Sequence, residues 1–306
     1  MNLTHTSAPG PHAGRPARNL FTRLLKRPIP LLVMAFIVLW GSLYIEKQWR
    51  PVRGLSGAFE LARVEKMEGV SAPLRERHPV IQGRLVAHAG GGIGGHAYVN
   101  SIDAIEENYR RGHRAFEVDL AFTSDGILVL EHNWSGSAAD KVPTLAEFQA
   151  ARVYGQYRPT TWTLVAGFLG THRDALIITD TKYDNENTLR HIAGDTPEVC
   201  GQVIPQIYSF SEYSMAKGLG FSRIILTLYK QKYWDRSVIA FAASRDISVT
   251  MPWKPRNFML AEQLAGNGVE VFFHSVNDPV ALSAHPRWKF YTDFIDPALE
   301  GPRQGH

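Results

Sequence analysis

Two carboxylates lie two positions apart in a segment that reads as a β-strand. Glu117 and Asp119 fall in an apolar run, so the alternation of a strand places both side chains on one face. Like charges this close repel each other unless a cation joins them. Asp180 lies at the end of the next predicted barrel strand, and three carboxylates with open positions suit Mg²⁺ or Ca²⁺. The alternative is an acidic pair on a solvated edge strand.

Two histidines are predicted to flank these carboxylates. His88 ends the first predicted strand, and the turn at 123–126 is too short for a parallel crossover. The next strand is therefore expected to return antiparallel. A turn centred between Ser124 and Asp125 would pair Glu117 with His132. Two histidines beside a metal suit phosphodiester cleavage, because one takes a proton from the nucleophile and the other protonates the leaving oxygen. Either histidine alone is more often structural.

The elements that must position these residues alternate along the chain, which favours parallel strands with crossover helices. Nine strands are predicted, at 84–88, 114–120, 127–131, 175–181, 202–207, 223–228, 247–251, 270–274 and 289–294. Six helices are predicted, at 101–112, 144–151, 184–193, 211–218, 234–244 and 257–267. We therefore expect an α/β fold, a (β/α)8 TIM barrel with an extra β-hairpin and catalytic groups at the carboxyl ends of its strands. Trp253 ends one strand and is a predicted substrate contact, with packing as the alternative.

A membrane anchor is predicted before the barrel. Residues 28–45 carry no charge, and 18 helical residues span about 27 Å, near the thickness of a bilayer core. Five basic residues and no acid precede this run, so the N-terminus is expected in the cytoplasm and the barrel outside it. The expected location is the inner (cytoplasmic) membrane, single-pass, with the barrel periplasmic or extracellular. A cleaved signal peptide is the alternative.

The domain boundaries follow from this division. We expect a flexible basic cytoplasmic tail at 1–27, the transmembrane helix at 28–45, a juxtamembrane linker at 46–80 and the barrel at 81–306. Residues 1–50 hold seven of the 33 Lys and Arg and one of the 29 acids, which leaves 26 basic and 28 acidic residues for the rest. The barrel therefore lacks the basic excess of a nucleic-acid-binding domain. A single cysteine excludes intrachain disulfides and multi-cysteine metal clusters.

Five short motifs occur in order between residues 85 and 134. They are His88-Ala89-Gly90, Val99-Asn100-Ser101, Glu117-Val118-Asp119, Thr123-Ser124-Asp125-Gly126 and His132-Asn133. With them the chain resembles the glycerophosphodiester phosphodiesterase family, within the phosphatidylinositol-phospholipase-C-like barrels. That family has His-Arg-Gly, Glu-Asn-Thr, Glu-x-Asp, Thr-x-Asp-Gly and His-Asp at these places. Its later Glu-x-Lys and Thr-Asp resemble Asp180-Thr181-Lys182 and Thr292-Asp293.

The resemblance implies a divalent-metal hydrolase of glycerophosphodiesters or phospholipid head groups. It implies an acid/base pair of histidines (His88 and His132), three carboxylate ligands (Glu117, Asp119 and Asp180) and a phosphate contact from Lys182. The nucleophile is either water or a substrate hydroxyl, and which histidine is the base stays open.

Three positions depart from the family pattern. Ala89 replaces its arginine, Val99 its metal-binding glutamate and Asn133 its second aspartate. Asn100 is a candidate neutral metal ligand, with a helix N-cap as the alternative. These departures leave a rival function, a non-catalytic membrane-anchored module that binds phosphodiester head groups or an envelope polymer. An unrelated barrel enzyme, such as a sugar-phosphate isomerase, is a third reading.

Overall fold

All nine predicted strands are present in the computed structural model, which describes residues 54–69, 72, 74, 76–134, 141–181, 183–229 and 233–300. The strands are β1 (Leu85–Ala87), β2 (Ala115–Phe122), β3 (Leu128–Leu130), β4 (Leu176–Thr181), β5 (Val203–Ile207), β6 (Ile225–Thr227), β7 (Ser248–Pro252), β8 (Val271–His274) and β9 (Lys289–Thr292). Eight of them are parallel, and β1 pairs with both β2 and β9, so the sheet closes into a barrel. The predicted parallel barrel is confirmed, and closure leaves it without an exposed sheet edge.

The extra strand β3 pairs antiparallel with the outer half of β2, as predicted, but in a different register. Leu120 faces Leu130 and Phe122 faces Leu128. The turn is therefore centred on Asp125, one half-residue beyond the predicted centre between Ser124 and Asp125. The predicted pairing of Glu117 with His132 is wrong by one position, because the loop has three residues instead of two.

Nine α-helices surround the barrel in the described part of the chain. They are α1 (54–68), α2 (Ile102–Arg110), α3 (Leu145–Ala150), α4 (Trp162–Thr171), α5 (Asn185–Asp195), α6 (Glu212–Gly218), α7 (Asp235–Ala243), α8 (Phe258–Gly266) and α9 (Val280–Ala284). The six predicted helices are confirmed. Helix α4 was not predicted, because Gly167 and Gly170 interrupt a segment without a clear polar face.

The barrel interior is divided along its axis into an apolar floor and a polar upper layer. Side chains at the amino ends of the strands form the floor, which includes Val86, Ile178, Ile204, Ile225 and Phe272. Two residues further along the same strands the inward residues are His88, Asp180, Gln206, Thr227 and His274, which line a cavity. The strand alternation thus places the polar groups that line the cavity at the carboxyl ends of these strands.

The outward face of the same strands forms the main core. Leu85, Phe116, Ile177, Val249 and Phe273 are buried between the sheet and the surrounding helices. Burying each side chain of this size contributes about 1.5–3 kcal/mol. This packing fixes the strands that carry the polar layer.

The predicted transmembrane helix at 28–45 lies outside the described residues. Among the residues that the structure describes, no helix is long and apolar enough to cross a bilayer.

Candidate active site

A cavity of 540 Å³ opens at the carboxyl ends of the barrel strands. Its lining includes three carboxylates and three histidines, and within the described ranges no Lys or Arg takes part in it. The lining residues are His88, Tyr98, Glu117, Asp119, His132, Asp180, Gln206, Thr227, Tyr229, His274, Ser275 and Tyr291. Five of the eight predicted site residues therefore lie in one cavity.

The three predicted metal-binding carboxylates converge at the floor of this cavity. Glu117, Asp119 and Asp180 each offer an oxygen within 4.8 Å of the other two. Glu117 and Asp119 are 2% and 1% exposed. Burial, followed by the charge of Asp119, raises the pKa of Glu117 well above its ordinary value. A buried negative cluster of this kind favours a bound cation, and its all-oxygen donor set fits Mg²⁺ or Ca²⁺.

Asp180 is held in place by a tyrosine from the neighbouring strand end. Tyr208, the first residue after β5, donates its hydroxyl to Asp180 Oδ1 in a short hydrogen bond. The same hydroxyl accepts the backbone N–H of Thr181 at 2.6 Å. Burial and the Asp180 charge raise the pKa of Tyr208 far above its ordinary value, so the phenol remains a donor. Tyr208 therefore helps to fix the orientation of the Asp180 carboxylate.

Asn100 is buried beside Asp119 and bonds to it twice. Its Nδ2 donates to Asp119 Oδ2 at 2.9 Å, and its Oδ1 accepts the backbone N–H of Asp119 at 3.0 Å. The N-cap of α2 is Ser101, whose side chain accepts from Ala104, so the alternative that Asn100 caps this helix is wrong. Asn100 thus positions a metal-ligand candidate, and its own role as a ligand stays a prediction.

His88 forms a dyad with an aspartate from the last strand end. Its Nδ1 lies 2.9 Å from Asp293 Oδ1, and its Nε2 lies 3.8 Å from Glu117 Oε2. Burial alone would lower the pKa of His88, but the Asp293 hydrogen bond and the charges of Glu117, Asp293 and Asp119 raise it to about 9. Asn277 donates to Asp293 Oδ2 at 2.8 Å and accepts its backbone N–H at 2.8 Å. This chain of contacts fixes the imidazole ring.

His132 reaches the carboxylates from the extra hairpin. Its Nδ1 lies 3.0 Å from Asp119 Oδ1, so its partner is Asp119 and not the predicted Glu117. Its side chain is 42% exposed, whereas that of His88 is 12% exposed. The ring of Tyr98 lies edge-on to both histidines, with centroids 4.6 Å from His88 and 5.8 Å from His132. The two histidines therefore share one cavity on either side of an aromatic ring.

Of the two predicted substrate contacts, only Trp253 lies among the described residues. Lys182 lies outside the described residues. Trp253 packs against Phe258, Phe273 and Trp288, with ring centroids 4.8–6.2 Å away, and is not among the cavity residues. The structure therefore supports the packing alternative for Trp253, because the chain at the end of β7 turns its indole toward the helical layer.

Several residues of the site were not singled out by the sequence. Ser275 places its Oγ 3.2 Å from His88 Nδ1, and Thr227 Oγ1 is buried in the lining without a hydrogen-bond partner among the described residues. Tyr98, Tyr208 and Asn277 complete the group. No motif marks them, although the strand-end rule that found Asp180 applies equally to Tyr208, one residue past β5.

Comparisons with known proteins were made by sequence and by structure. No protein-family model matches the chain, and no curated protein matches its sequence. Solved structures do match. A glycerophosphodiester phosphodiesterase from Parabacteroides distasonis is 14% identical with a TM-score of 0.56, over 72% of this chain and 96% of that one. One from Thermotoga maritima is 16% identical with a TM-score of 0.52, over 74% and 97%.

A third match is an Oleispira antarctica phosphodiesterase in complex with its product sn-glycerol-3-phosphate. It is 14% identical with a TM-score of 0.56, over 71% of this chain and 95% of that chain. Identities this low establish the fold alone. The chain has the fold of the glycerophosphodiester phosphodiesterases of known structure.

Proposed function

We propose that the chain is a metal-dependent phosphodiesterase, a phosphoric diester hydrolase that cleaves a glycerophosphodiester or a phospholipid head group. The observation that carries this proposal is the placement of two aspartate-held histidines around three carboxylates in one cavity. An unrelated isomerase barrel would not need two histidines around such a cluster. The fold shared with solved phosphodiesterases is consistent with this reaction.

Glu117, Asp119 and Asp180 would hold the divalent cation, Mg²⁺ or Ca²⁺. When bound, the ion would polarise the phosphoryl oxygens and neutralise the negative charge that develops on them. The convergence of these three carboxylates, whose oxygens lie within 4.8 Å of one another, supports this assignment. Asn100 and Tyr208 keep Asp119 and Asp180 in place.

His88 and His132 would carry the protons. Each uses Nδ1 to contact an aspartate, so proton exchange with the substrate falls to Nε2. One Nε2 takes a proton from the nucleophile, and the other donates a proton to the leaving oxygen. Asp293 and Asp119 fix the ring orientations. The fold therefore orients these proton-transfer groups before substrate binds.

A panel of glycerophosphodiesters and lysophospholipids, incubated with the purified full chain, tests the proposal. Product release that stops with a chelator and returns with Mg²⁺ or Ca²⁺ is expected. A cyclic phosphate product would identify a substrate hydroxyl as the nucleophile, whereas a linear monoester would identify water. Binding of phosphodiesters without turnover would instead favour the non-catalytic module.

We also propose that residues 28–45 anchor the chain in the inner membrane as a single pass, with residues 1–27 cytoplasmic and the barrel periplasmic or extracellular. The uncharged run and the basic residues before it support this topology. A reporter fused after residue 60 should be active only if it works outside the cytoplasm. Cytoplasmic reporter activity at that position would contradict the topology.

A further inference from the structure

The helix that precedes the barrel begins at the mouth of the cavity. A Cβ on Gly54 would lie 1.8 Å from Trp234 Nε1, so the two residues are in direct contact. Trp234 lies between β6 and α7, at the carboxyl end of the strands. At the other end of α1, Glu68 pairs at 2.8 Å with Arg245, which lies between α7 and β7 at the amino end. The described part of the chain therefore begins on the mouth side of the barrel.

Exposed aromatic side chains surround the same mouth. Tyr183 follows β4 and is 69% exposed, and Phe294 follows β9 and is 51% exposed. Phe59, in the part of α1 near the mouth, is 73% exposed. At the opposite end of the barrel, the exposed large apolar residues within the described ranges are Met67, Leu74 and Leu299, none of them aromatic. Large apolar groups gathered at one end indicate a partner that covers them.

The sequence just before α1 indicates what that partner is. Residues 46–53 contain Trp49 and three basic residues against one acid, and they follow the uncharged run 28–45. Tryptophan and basic residues are favoured at the surface of a bilayer with anionic lipids. Eight extended residues reach at most about 29 Å. An apolar run held in a bilayer would thus keep the point where the chain joins the barrel within that reach of the lipid head groups.

We propose that the mouth of the barrel docks on a lipid bilayer and that the cavity takes the phosphodiester head group of a membrane lipid. The docking stands on the exposed rim and on the entry point of α1, whereas the choice of substrate rests on the phosphodiesterase function proposed above. Aromatic rim residues such as Tyr183 suit the interface, because one side of the ring is apolar and the hydroxyl remains hydrated. A lipid head group then meets the carboxylates without leaving the membrane.

Fluorescence quenching tests the docking without any enzymatic activity. The full chain with Cys200→Ser carries a dye on Tyr183→Cys, or on Glu198→Cys as the control at the amino end of β5. Each protein is reconstituted in vesicles of phosphatidylcholine with a minority of phosphatidylglycerol, with and without brominated acyl chains. We expect brominated lipid to quench the Tyr183→Cys dye about twofold and the Glu198→Cys dye hardly at all, since an interfacial group lies within the acyl boundary. No quenching at Tyr183→Cys, or equal quenching at both sites, would overturn the docking.

Two substrates test the lipid preference. In the same vesicles, the double variant Phe59→Ser with Tyr183→Ser should cleave vesicle phospholipid about tenfold more slowly, because its apolar rim is lost. Its rate on a freely diffusing glycerophosphodiester should match that of wild type. Met67→Ser, at the far end of α1, is the control and should change neither rate.

A wild-type chain that cleaves only the freely diffusing diester would overturn the lipid assignment. Quenching at Tyr183→Cys in a chain that cleaves no phosphodiester would remove the enzymatic proposal and support the docking alone.

Discussion

At the scale of single residues, the site depends on how two histidines are held. Both imidazoles use Nδ1 to contact an aspartate, but the aspartates come from different strands, Asp293 after β9 and Asp119 within β2. The largely buried His88 contacts Asp293, Glu117 and Ser275, whereas the half-exposed His132 contacts Asp119 at 3.0 Å. The two rings therefore differ in exposure, although each is held by an aspartate at Nδ1.

The first residue-scale prediction concerns these histidines. His88→Ala and His132→Ala should each lower kcat by on the order of 10²–10⁴, because each removes one of the two proposed acid/base groups. His96→Ala is the control, since His96 stacks on Tyr154 and lies outside the cavity lining. The measurement is turnover of the substrate found in the panel, with circular dichroism to confirm folding. Near-full activity in either cavity variant would remove that histidine from the mechanism.

The second residue-scale prediction concerns Tyr208. Tyr208→Phe removes the hydroxyl that orients Asp180, so the affinity for the divalent ion should fall by on the order of tenfold. Calorimetric titration of the chelator-treated protein measures this directly, and it does not depend on turnover. Tyr213→Phe, on α6, should bind the ion as wild type does. Unchanged affinity in Tyr208→Phe would show that this hydrogen bond does not position the ligand.

At the scale of elements, the β2–β3 hairpin delivers His132 to the site. Its turn closes when Thr123 N–H donates to Ile127 O at 2.9 Å, and Gly126 adopts φ +82° there. A residue with a Cβ is strained in this left-handed conformation. The position of His132 thus depends on a glycine six residues earlier.

We therefore expect Gly126→Ala to lower the free energy of unfolding by about 1 kcal/mol, because the new Cβ is strained at positive φ. Gly167→Ala is a control of opposite sign. Gly167 lies inside α4 with nothing within 4 Å of a new Cβ, so alanine there should stabilise the protein by about 0.5–1 kcal/mol. Urea denaturation measures both. A neutral or stabilising Gly126→Ala would contradict the turn geometry.

The elements also indicate how far the sequence could predict the site. Strand periodicity located all nine strands, and the strand-end rule found Asp180 before any contact was known. The hairpin register could not be predicted, because a two-residue and a three-residue loop both fit the turn at 123–126. Tyr208 and Asn277 were missed because their roles depend on contacts with residues 16 or more positions away. Such contacts leave no local pattern.

At the scale of the whole molecule, the two ends of the barrel serve different purposes. The carboxyl end carries the charged cavity, and the amino end is closed by apolar residues such as Val86 and Phe272. His113 precedes β2 at that amino end, 5% exposed, and its Nδ1 has no partner among the described residues. Burial lowers the pKa of His113 to about 4, and a hydrogen bond with the Ile295 backbone opposes this only in part.

This histidine predicts a dependence of stability on pH. The pKa of His113 is lower in the folded than in the unfolded chain. Its contribution to the free energy of unfolding is therefore present above about pH 6.5 and is lost as the pH falls toward 4. The lost contribution amounts to at most about 3 kcal/mol. His113→Gln should therefore weaken the dependence of the free energy of unfolding on pH between pH 4 and 6.5, as measured with urea. Above pH 7 the slope of this free energy against pH should be unchanged. An equal slope in both proteins across the lower window would contradict this account.

The central claim is that one cation, held by three carboxylates, enables two histidines to cleave a phosphodiester. The most direct measurement is product release from a glycerophosphodiester or a vesicle phospholipid by the chelator-treated full chain, as Mg²⁺ or Ca²⁺ is added back. We predict release that rises with the ion in wild type and is absent in Asp119→Asn at every ion concentration. Hydrolysis that continues in the presence of the chelator and in Asp119→Asn would contradict the account. The absence of both hydrolysis and a bound ion at millimolar ion concentrations would also contradict it.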